Sequence, residues 1–467
     1  MQIQFIGAAR TVTGSMHQIT LNGTKFLIDC GLYQGKRKEA FELNKRLDYI
    51  EPEELDFVIL THAHTDHAGN LPSLVKAGFR GNIYCTSATR DLCAVMLRDT
   101  QRILERDVEY INKRRIKRGQ NPFEVLYSAQ DVENTIKMMV AINYDWEMKI
   151  SPKLKLTFYD AGHILGSAIV HLRYKISDNE ERIIVFSGDL GRKYLPILKD
   201  PEQIKEADYL IMEATYGGRF HADYQTTEQR LKEIIKEAIQ KKSKIIIPSF
   251  SVGRSQELVY ALNELFKKYP KIKIPVYVDS PLSVHATEVF KLHPECYDDE
   301  TMKYLLEGKD PFGFHNLTYI TEVEESKKLN DMQGPMMIIS SSGMAEAGRI
   351  VHHLYNNIEN PNNIILIVGY NAEHTLGRKI VEGVNPVRIL GDEKQLNAKV
   401  VVLNSLSAHA DSNEILDYVS HMNLNRLKKV FLVHGDYEQQ LKLAERLKQI
   451  GIKEIEIPAK GEVYQLD

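Results

Sequence analysis

The chain has 467 residues, in which 60 Lys and Arg nearly balance 63 Asp and Glu, leaving a formal net charge of -3. Hydrophobic residues make up 43 % and charged residues 26 %, a globular composition that excludes a mostly disordered or fibrous chain. The balanced charge excludes a strongly basic protein, so any nucleic-acid binding must come from local patches.

The location of the protein is addressed by three features of the sequence. No apolar run approaches about 18 residues, so we expect neither a membrane-spanning helix nor a membrane partner. The first residues lack the basic and then apolar pattern of a secretory signal. The four cysteines form no CxxC pair and suit a reducing compartment. We therefore expect a cytoplasmic protein.

Short apolar runs that end abruptly in small or polar residues recur along the whole chain. Such runs predict buried strands, and helical patterns lie between many of them, which together indicate an α/β fold. The predicted strands are Phe26–Ile28, Phe57–Leu60, Ile183–Phe186, Tyr209–Met212, Ile245–Ile247, Val276–Val278, Met336–Ile339, Ile364–Val368, Val400–Leu403 and Val430–Val433. The clearest predicted helices are Asp91–Arg118, Thr227–Lys241 and Gln256–Lys268. Ligands of open α/β sheets gather beyond the carboxyl ends of strands, so each strand end is a candidate site wall.

The predicted helix Asp91–Arg118 ends in a basic cluster made of Lys113, Arg114, Arg115, Lys117 and Arg118. A solvated helix end and a phosphate-binding rim both explain such a cluster. The sequence leaves the two interpretations open.

The segment that points most directly to chemistry follows the predicted strand Phe57–Leu60. It reads Thr61-His62-Ala63-His64-Thr65-Asp66-His67-Ala68-Gly69 and places four metal-competent side chains within six positions. A helix would direct His62 and His64 to different faces, whereas a loop after a strand can bring all four together. Imidazole and carboxylate ligands suit zinc first, and Mn²⁺ or Fe²⁺ less well. The spacing is compatible with two metals fed by one loop.

Two further candidate ligands follow later predicted strands. His163 lies in the stretch Asp160-Ala161-Gly162-His163, and Asp189 lies in Ser187-Gly188-Asp189. Neighbouring glycines allow the backbone to approach a metal closely. We expect His163 and Asp189 to complete the site.

These motifs, together with Asp29 in the stretch LIDCG, resemble the ordered motifs of the metallo-β-lactamase superfamily. The resemblance implies an αββα sandwich with a di-metal site at its edge. The superfamily contains lactamases, thioesterases, lactonases, oxidoreductases and nucleases, so this likeness alone leaves the substrate open.

The second half of the chain resembles one branch of that superfamily, the β-CASP nucleases. Glu213, His409 and His434 match motifs A, B and C, and the stretches 248–257, 340–344 and 369–378 fit the same family. The resemblance implies an inserted α/β domain, with a metallo-β-lactamase part at 1–207, the β-CASP domain at 208–390 and a return at 391–467. We expect the short form of a cleavage-factor-like endonuclease, without a KH-type module.

The resemblance also implies roles for the site residues. One zinc would be held by His62, His64 and His163, the other by Asp66, His67 and His434, with Asp189 bridging them. Manganese is an alternative to zinc. A metal-activated hydroxide would then hydrolyse the phosphodiester bond, leaving a 5′-phosphate and a 3′-hydroxyl. His409 would be the general acid oriented by Glu213, and Asp29 would hold a ligand histidine.

The expected substrate is single-stranded RNA, cut internally during RNA processing or decay. Phosphate contacts are expected from the inserted domain, namely from Ser341, Ser342, Gly343, Arg254, His374 and Arg378. A turn such as 341–343 suits a phosphate if its backbone amides are not already bonded. A homodimer is expected only by analogy with related proteins.

Three alternatives stay open at the level of sequence. The first is 5′–3′ exonuclease action, because the sequence does not reveal the depth of a pocket for a terminal phosphate. The second is a thioesterase- or lactonase-type hydrolase, which needs the metal site but neither Glu213 nor His409. The third is a non-catalytic RNA-processing scaffold, which the full set of ligand residues argues against.

Overall fold

The computed structural model describes residues 1–35, 37–221, 225–369, 371, 374–403 and 407–467. In the family stretch 369–378 named above, Tyr370, Ala372 and Glu373 lie outside the described residues. The chain forms two compact units. The first comprises Met1–Lys193, Asp200–Phe220 and His409–Asp467, and the second comprises Tyr194–Lys199 and His221–Ala408.

The first unit contains the amino-terminal and carboxyl-terminal elements. Its strands are β1 (Gln2–Gly7), β2 (Met16–Leu21), β3 (Thr24–Ile28), β4 (Phe57–Ile59), β5 (Asn82–Cys85), β6 (Met139–Ala141), β7 (Met148–Ser151), β8 (Leu154–Asp160), β9 (Ala168–Ser177), β10 (Glu180–Phe186), β11 (Tyr209–Glu213), β20 (Lys429–Val433), β21 (Ile455–Glu456) and β22 (Val463–Gln465). Its helices are α1 (Arg37–Lys45), α2 (Thr65–Ala68), α3 (Leu71–Lys76), α4 (Ser87–Lys117), α5 (Ala129–Lys137), α13 (Ser412–Ser420) and α14 (Tyr437–Gln449).

The strands of the first unit form two seven-stranded sheets, with the orders β22-β1-β2-β3-β4-β5-β6 and β21-β20-β11-β10-β9-β8-β7. In the first sheet, β3, β4 and β5 run parallel. In the second sheet, β10, β11 and β20 run parallel. These parallel strands carry the motif residues at their carboxyl ends.

The inner faces of the two sheets share one apolar core. Phe5 and Phe26 of the first sheet pack with Phe158, Phe186 and Phe431 of the second, and all are buried. Side chains alternate between the faces of a strand, so their neighbours point outward. Burial of apolar area between the sheets is the main force that holds the layers together.

The outer face of the second sheet is covered by helices. Leu210 and Met212 of β11 pack with Ile415 of α13 and Leu443 of α14. Two sheets with helices outside them form the αββα arrangement that the sequence resemblance implies.

The second unit is a parallel α/β domain. Its strands are β12 (Lys244–Pro248), β13 (Val276–Asp279), β14 (Leu317–Ile320), β15 (Met336–Ser340), β16 (Ile364–Ile367), β17 (Val387–Ile389), β18 (Asp392–Lys394) and β19 (Lys399–Val402). Its helices are α6 (Gln225–Lys241), α7 (Arg254–Lys268), α8 (Pro281–Leu292), α9 (Asp299–Leu306), α10 (Val323–Asp331), α11 (Arg349–Asn357) and α12 (Leu376–Val381). Six of the strands form one sheet, in the order β14-β13-β15-β12-β16-β19.

The extent of the second unit differs from the expected range 208–390. Strand β11 at 209–213 pairs with β10 and β20 of the first unit. Strand β19 at 399–402 pairs with β16 of the second unit. The main part of the second unit therefore runs from 221 to 408.

Across the described residues, no helix is long and apolar enough to cross a membrane. All four cysteines, Cys30, Cys85, Cys93 and Cys296, are buried, and none of them forms a disulfide.

Candidate active site

The motif residues of the first unit lie where its parallel strands end. Asp29 follows β3, and His62 lies three residues beyond β4. In the second sheet, Asp189 follows β10 and His434 follows β20, while Glu213 is the last residue of β11. Because the carboxyl ends of parallel strands share one edge, residues distant in sequence meet there.

One group of donor atoms, here called group A, consists of His62, His64, His163 and Asp189. The Nε2 atoms of His62 and His163 lie 3.1 and 3.2 Å from Nδ1 of His64. The same two atoms lie 3.3 and 3.4 Å from Oδ2 of Asp189. Four donors therefore face one point.

A second group, here called group B, consists of Asp66, His67 and His434. Nε2 of His434 lies 3.1 Å from Nε2 of His67 and 3.6 Å from Oδ2 of Asp66. The other oxygen of Asp189, Oδ1, lies 3.3 Å from Nε2 of His67. Asp189 thus directs one carboxylate oxygen toward each group.

These distances fit a divalent metal. Two nitrogens bound to one tetrahedral zinc at about 2.0–2.1 Å lie about 3.3 Å apart, close to the separations within group A. Oδ1 of Asp189 is buried and makes no hydrogen bond within the described part of the chain. A buried carboxylate oxygen in that position requires a cation or a donor. The imidazole and carboxylate donor set suits zinc.

The protonation of group A also fits metal binding. Burial lowers the pKa of the His62 and His163 imidazoles and brings the pKa of His64 to about 3, so all three are neutral donors. Burial raises the pKa of Asp189, but the charges of His434 and His67 outweigh it and hold that pKa well below its ordinary value. Asp189 is therefore ionised, as a metal ligand must be.

His67 lies between two carboxylates, Asp29 and Asp189. Burial opposes its protonation, but the two acidic charges raise its pKa well above the ordinary value. The surroundings of His67 therefore favour positive charge, which a proton on the ring or a metal ion at Nε2 would supply.

Asp29 supports the ligand loop through several bonds. Its Oδ2 lies 2.7 Å from Nδ1 of His67, and its Oδ1 accepts the backbone N–H of Thr61 at 2.8 Å. The Thr61 hydroxyl contacts Oδ2 of Asp29 at 3.0 Å and Nδ1 of His62 at 3.0 Å. Both imidazoles therefore turn their Nε2 atoms toward the donor groups.

Two threonines were missed by the sequence reasoning. Thr61 directly precedes the first histidine of the loop, and this position could have indicated its role. Thr215 lies 3.1 Å through its hydroxyl from Nδ1 of His434, across 219 positions, and no sequence signal marks it. Each threonine fixes the orientation of a histidine ring.

Gly31 allows the ligand loop to approach strand β3. A Cβ at this position would lie 1.6 Å from the carbonyl oxygen of Asp66. Any side chain at Gly31 would therefore displace the backbone that carries Asp66 and His67.

His409 and Glu213 form an adjacent pair. Nδ1 of His409 lies 3.1 Å from Oε1 of Glu213 and 3.9 Å from Oδ2 of Asp189. Glu213 is fully buried and accepts backbone N–H groups from Leu190 at 2.7 Å and Thr215 at 3.3 Å. Burial lowers the pKa of His409, but the charges of Glu213 and Asp189 outweigh it and raise that pKa to about 9. The imidazole is thus a proton donor at neutral pH.

The expected phosphate contacts belong to the second unit, where Ser341, Ser342 and Gly343 follow β15. The Ser341 hydroxyl lies 2.9 Å from the Ser280 hydroxyl. The backbone N–H of Ser342 donates to the Ala347 carbonyl at 3.1 Å. The expected phosphate contact required backbone amides that are not already hydrogen-bonded, and the Ser342 amide does not meet that requirement.

The other three phosphate candidates differ in their surroundings. Arg254 is buried and forms an ion pair with Glu257 one turn along α7. Arg378 pairs with Glu382 at 2.6 Å, whereas His374 is exposed and has a φ of 68°. Both arginines are thus paired with glutamates three or four residues further along the chain.

Comparison with known proteins agrees with this architecture along the chain. A metallo-beta-lactamase superfamily domain matches residues 18–188, a Beta-Casp domain matches 255–380, and a Zn-dependent metallo-hydrolase RNA specificity domain matches 393–458. A crystal structure of a protein of unknown function from Enterococcus faecalis V583 covers 100 % of this chain and 99 % of its own, with a TM-score of 0.56 and 12 % identity. At that identity it supports the fold alone.

Relatives of the chain cover nearly its whole length. Ribonuclease TTHA0252 of Thermus thermophilus is 35 % identical over 99 % of both chains. The transcription termination factor FttA of Methanocaldococcus jannaschii is 31 % identical over 98 % of this chain and 70 % of its own, and that of Pyrococcus horikoshii is 32 % identical over 95 % and 68 %. The chain therefore belongs to the β-CASP family of metallo-hydrolases, in which a metallo-β-lactamase fold carries an inserted β-CASP domain.

Proposed function

We propose that the protein is a zinc-dependent ribonuclease that cuts single-stranded RNA internally and leaves 5′-phosphate and 3′-hydroxyl ends. One observation carries the proposal. Asp189 directs one carboxylate oxygen toward the histidines of group A and the other toward group B, and the pair His409–Glu213 lies beside them. A small-molecule hydrolase would need the donor groups but not that pair. The name of the Thermus thermophilus relative, a ribonuclease of equal extent, supports the same assignment.

Groups A and B would each hold one zinc, with Asp189 shared between them; manganese fits the same donors. When bound, the metal ions would lower the pKa of water and offset negative charge on the phosphate. Asp29 and Thr61 would keep His67 and His62 directed at the ions through the bonds described above.

His409 would supply the proton that the leaving oxygen needs. The attacking water gives one proton to solvent as its oxygen bonds to phosphorus, the bond from phosphorus to the 3′ oxygen breaks, and the imidazolium proton passes to that oxygen. A solvent proton then restores the imidazolium. Because Nδ1 of His409 faces Glu213, the transferred proton would be the one on Nε2. Glu213 would stabilise the charged ring before transfer.

The second unit would contact the RNA backbone. We propose Ser341 and His374 as the contacts best supported, since Ser341 directly follows strand β15 and His374 is exposed. Gly343 is buried, so we rank it below these two. Ser342 would contribute its side chain. Arg254 and Arg378 would need to leave their glutamate partners in order to bind phosphate, so we rank them below the others.

The first experiment is cleavage of single-stranded RNA that carries a different label at each end, with and without zinc. Asp189→Ala should abolish cutting and His409→Ala should slow it by about 10²- to 10⁴-fold. His421→Ala, a change at an exposed histidine of the same unit, should leave cutting unchanged. Internal fragments would support the endonuclease, and mononucleotides from the 5′ end would establish the exonuclease mode instead.

A second measurement separates the ribonuclease from the other functions. We expect elemental analysis to find two zinc ions per wild-type chain and fewer in His62→Ala and His434→Ala. A zinc-loaded protein that leaves RNA intact but hydrolyses a thioester or lactone would reassign the function. A metal-free protein that binds RNA without cutting it would indicate a scaffold.

We also propose a cytoplasmic location, which the four buried cysteines support because none of them forms a disulfide. The homodimer stays a prediction.

A further inference from the structure

The long helix α4 begins beside the candidate active site. The hydroxyls of Thr86 and Thr89, at its amino end, both donate to the carbonyl of Gly166 at 2.7 Å. Gly166 lies three residues after His163 of group A. At about 1.5 Å per residue, the 31 residues of α4 extend about 46 Å from that point.

One face of the distal half of α4 is basic and exposed. Positions four, eight, eleven, twelve and fifteen residues after Arg102 share a face of an α-helix. We call this set the α4 stripe: Arg102, Arg106, Tyr110, Lys113, Arg114 and Lys117, all of them exposed. It covers about 22 Å of helix length.

Another face of the same helix contacts the segment that follows α4 in sequence. Asn112 exchanges two hydrogen bonds with the backbone of Phe123, at 2.9 and 2.7 Å. Arg115 donates to the carbonyl of Asn121 at 2.7 Å and lies 4.1 Å from the centre of the Phe123 ring. Arg115 therefore packs against the chain that follows α4 and does not belong to the α4 stripe.

Acids offset the charges of the α4 stripe only in part, since one exposed acid, Glu109, lies among its cations on the same face. Within the described residues, no acidic side chain pairs with Arg102, Arg106, Lys113 or Lys117, whereas Arg98 pairs with Glu133 at 2.6 Å. Like charges three or four residues apart destabilise a helix. The helix dipole favours cations in the last turn, which accounts for Arg114 and Lys117 but not for the earlier cations.

Tyr110 makes the surface more suited to nucleic acid than to an acidic protein. Its side chain is 53 % exposed, and the Arg114 guanidinium lies 4.7 Å from the centre of its ring. Aromatic rings and arginine planes stack on unpaired bases, while neighbouring cations neutralise phosphates. Tyr110 and Arg114 together offer both contacts.

We propose that the α4 stripe is a second RNA-binding surface, which holds the backbone of a substrate strand that runs outward from the active site. This inference rests on the proposed function. The stripe begins about 20 Å along the helix from Thr89, so only an RNA of sufficient length would reach both places. It would raise affinity for long strands and leave the cutting of very short ones unchanged.

The test compares RNA affinity by fluorescence anisotropy over a range of salt concentrations. All proteins carry His409→Ala, which keeps the metal-ligand residues in place and makes cutting too slow to affect the binding measurement. The stripe variant carries Arg102→Gln, Arg106→Gln, Lys113→Gln and Lys117→Gln. A matched control removes four exposed lysines elsewhere in the same unit, Lys149, Lys153, Lys448 and Lys453, also by glutamine. A charge-retaining variant exchanges arginine and lysine at the four stripe positions.

We expect the stripe variant to bind a strand of about 30 nucleotides at least tenfold more weakly at about 0.1 M salt, with the slope of log K against log salt reduced by about 2–3. The control and the charge-retaining variant should bind like the parent. With His409 restored, the stripe variant should show a raised KM for the long strand and an unchanged KM for a strand of about 5 nucleotides.

Equal RNA affinity of the stripe variant and the parent would overturn the inference. If the stripe variant kept RNA affinity but lost binding to polyglutamate, the surface would belong to an acidic protein partner. Wild-type protein that neither binds nor cuts RNA would overturn the proposed function, whereas wild-type cutting with an unaffected stripe variant would overturn the second surface alone.

Discussion

Nδ1 of His409 lies 3.1 Å from Oε1 of Glu213, although 196 positions separate the two residues in sequence. Glu213 ends strand β11, and His409 begins the segment that returns to the first unit. The pair forms because His409 bridges to Gly191, two residues after Asp189, which places its segment beside the carboxyl end of β11. It joins a buried negative charge to a proton donor beside the candidate metal ligands.

The first prediction concerns this pair. Glu213→Gln keeps an acceptor for His409 but removes the charge that raises the pKa of the imidazole to about 9. A general acid works while protonated, so activity is lost as pH rises through its pKa. We expect Glu213→Gln to shift the alkaline limb of the pH–rate profile to lower pH, and His409→Ala to lower kcat by about 10²- to 10⁴-fold.

The control for this prediction is Glu454→Gln, at an exposed glutamate of the same unit. It should reproduce the wild-type profile. An unchanged alkaline limb in Glu213→Gln would show that the glutamate does not set the protonation of His409.

The second prediction concerns the bond between Asp29 and His67. Removing the carboxylate charge that holds a ligand imidazole typically lowers metal affinity about 10- to 100-fold. We expect Asp29→Asn to lose zinc at a correspondingly lower concentration of a competing chelator than wild type. Excess zinc should restore its activity. Asp178→Asn, at an exposed turn, serves as the control. Equal zinc affinity in Asp29→Asn and wild type would contradict the supporting role.

The sequence predicted ten of the 22 strands that the described residues form, and these are the ones in which a buried run is a clear local pattern. All ten predicted strands are present within a few residues of the expected bounds. The ligand loop was also readable, because His62, His64 and His67 are close in sequence. The residues far along the chain that complete the site were predicted from the family resemblance. Sequence spacing alone does not reveal which distant strand ends lie close together.

The phosphate candidates show where reasoning from sequence stops. Arg254 looks like an exposed cation at the start of a helix, but α7 turns it into the interior, where Glu257 pairs with it. The Ser342 amide looks available in a small-residue turn, but the chain folds back and Ala347 accepts its hydrogen bond. Both outcomes depend on tertiary packing, which the local sequence does not encode.

The third prediction concerns removal of the metal. Ligands that bind only the folded state stabilise it, by about 4 kcal/mol at 1,000 times Kd. We expect a chelator to lower the Tm of the first unit by about 10 °C in wild type. Asp189→Ala should have a low Tm that responds little to zinc or chelator, because both donor groups lose their shared carboxylate. A wild-type Tm that is insensitive to the chelator would argue against zinc in these groups.

The fourth prediction concerns acid stability and His171, a buried residue of strand β9. Burial lowers its pKa from 6.5 to about 4, with the charge of Arg173 acting in the same direction. Between these values the unfolded chain binds more protons than the folded one, so stability falls as pH drops from about 6.5 toward 4. The loss attributable to His171 is about 2 kcal/mol at pH 5.

Urea unfolding of wild type and His171→Gln at several pH values isolates this contribution. The variant should start less stable near pH 8, because the glutamine lacks the ring that packs against Tyr159. Its stability should then decline less steeply between pH 6.5 and 4, since one histidine that resists protonation has been removed. The ligand histidines are the same in both proteins, so their titration cancels in the comparison. Parallel stability curves over that range would mean that His171 does not contribute to acid sensitivity.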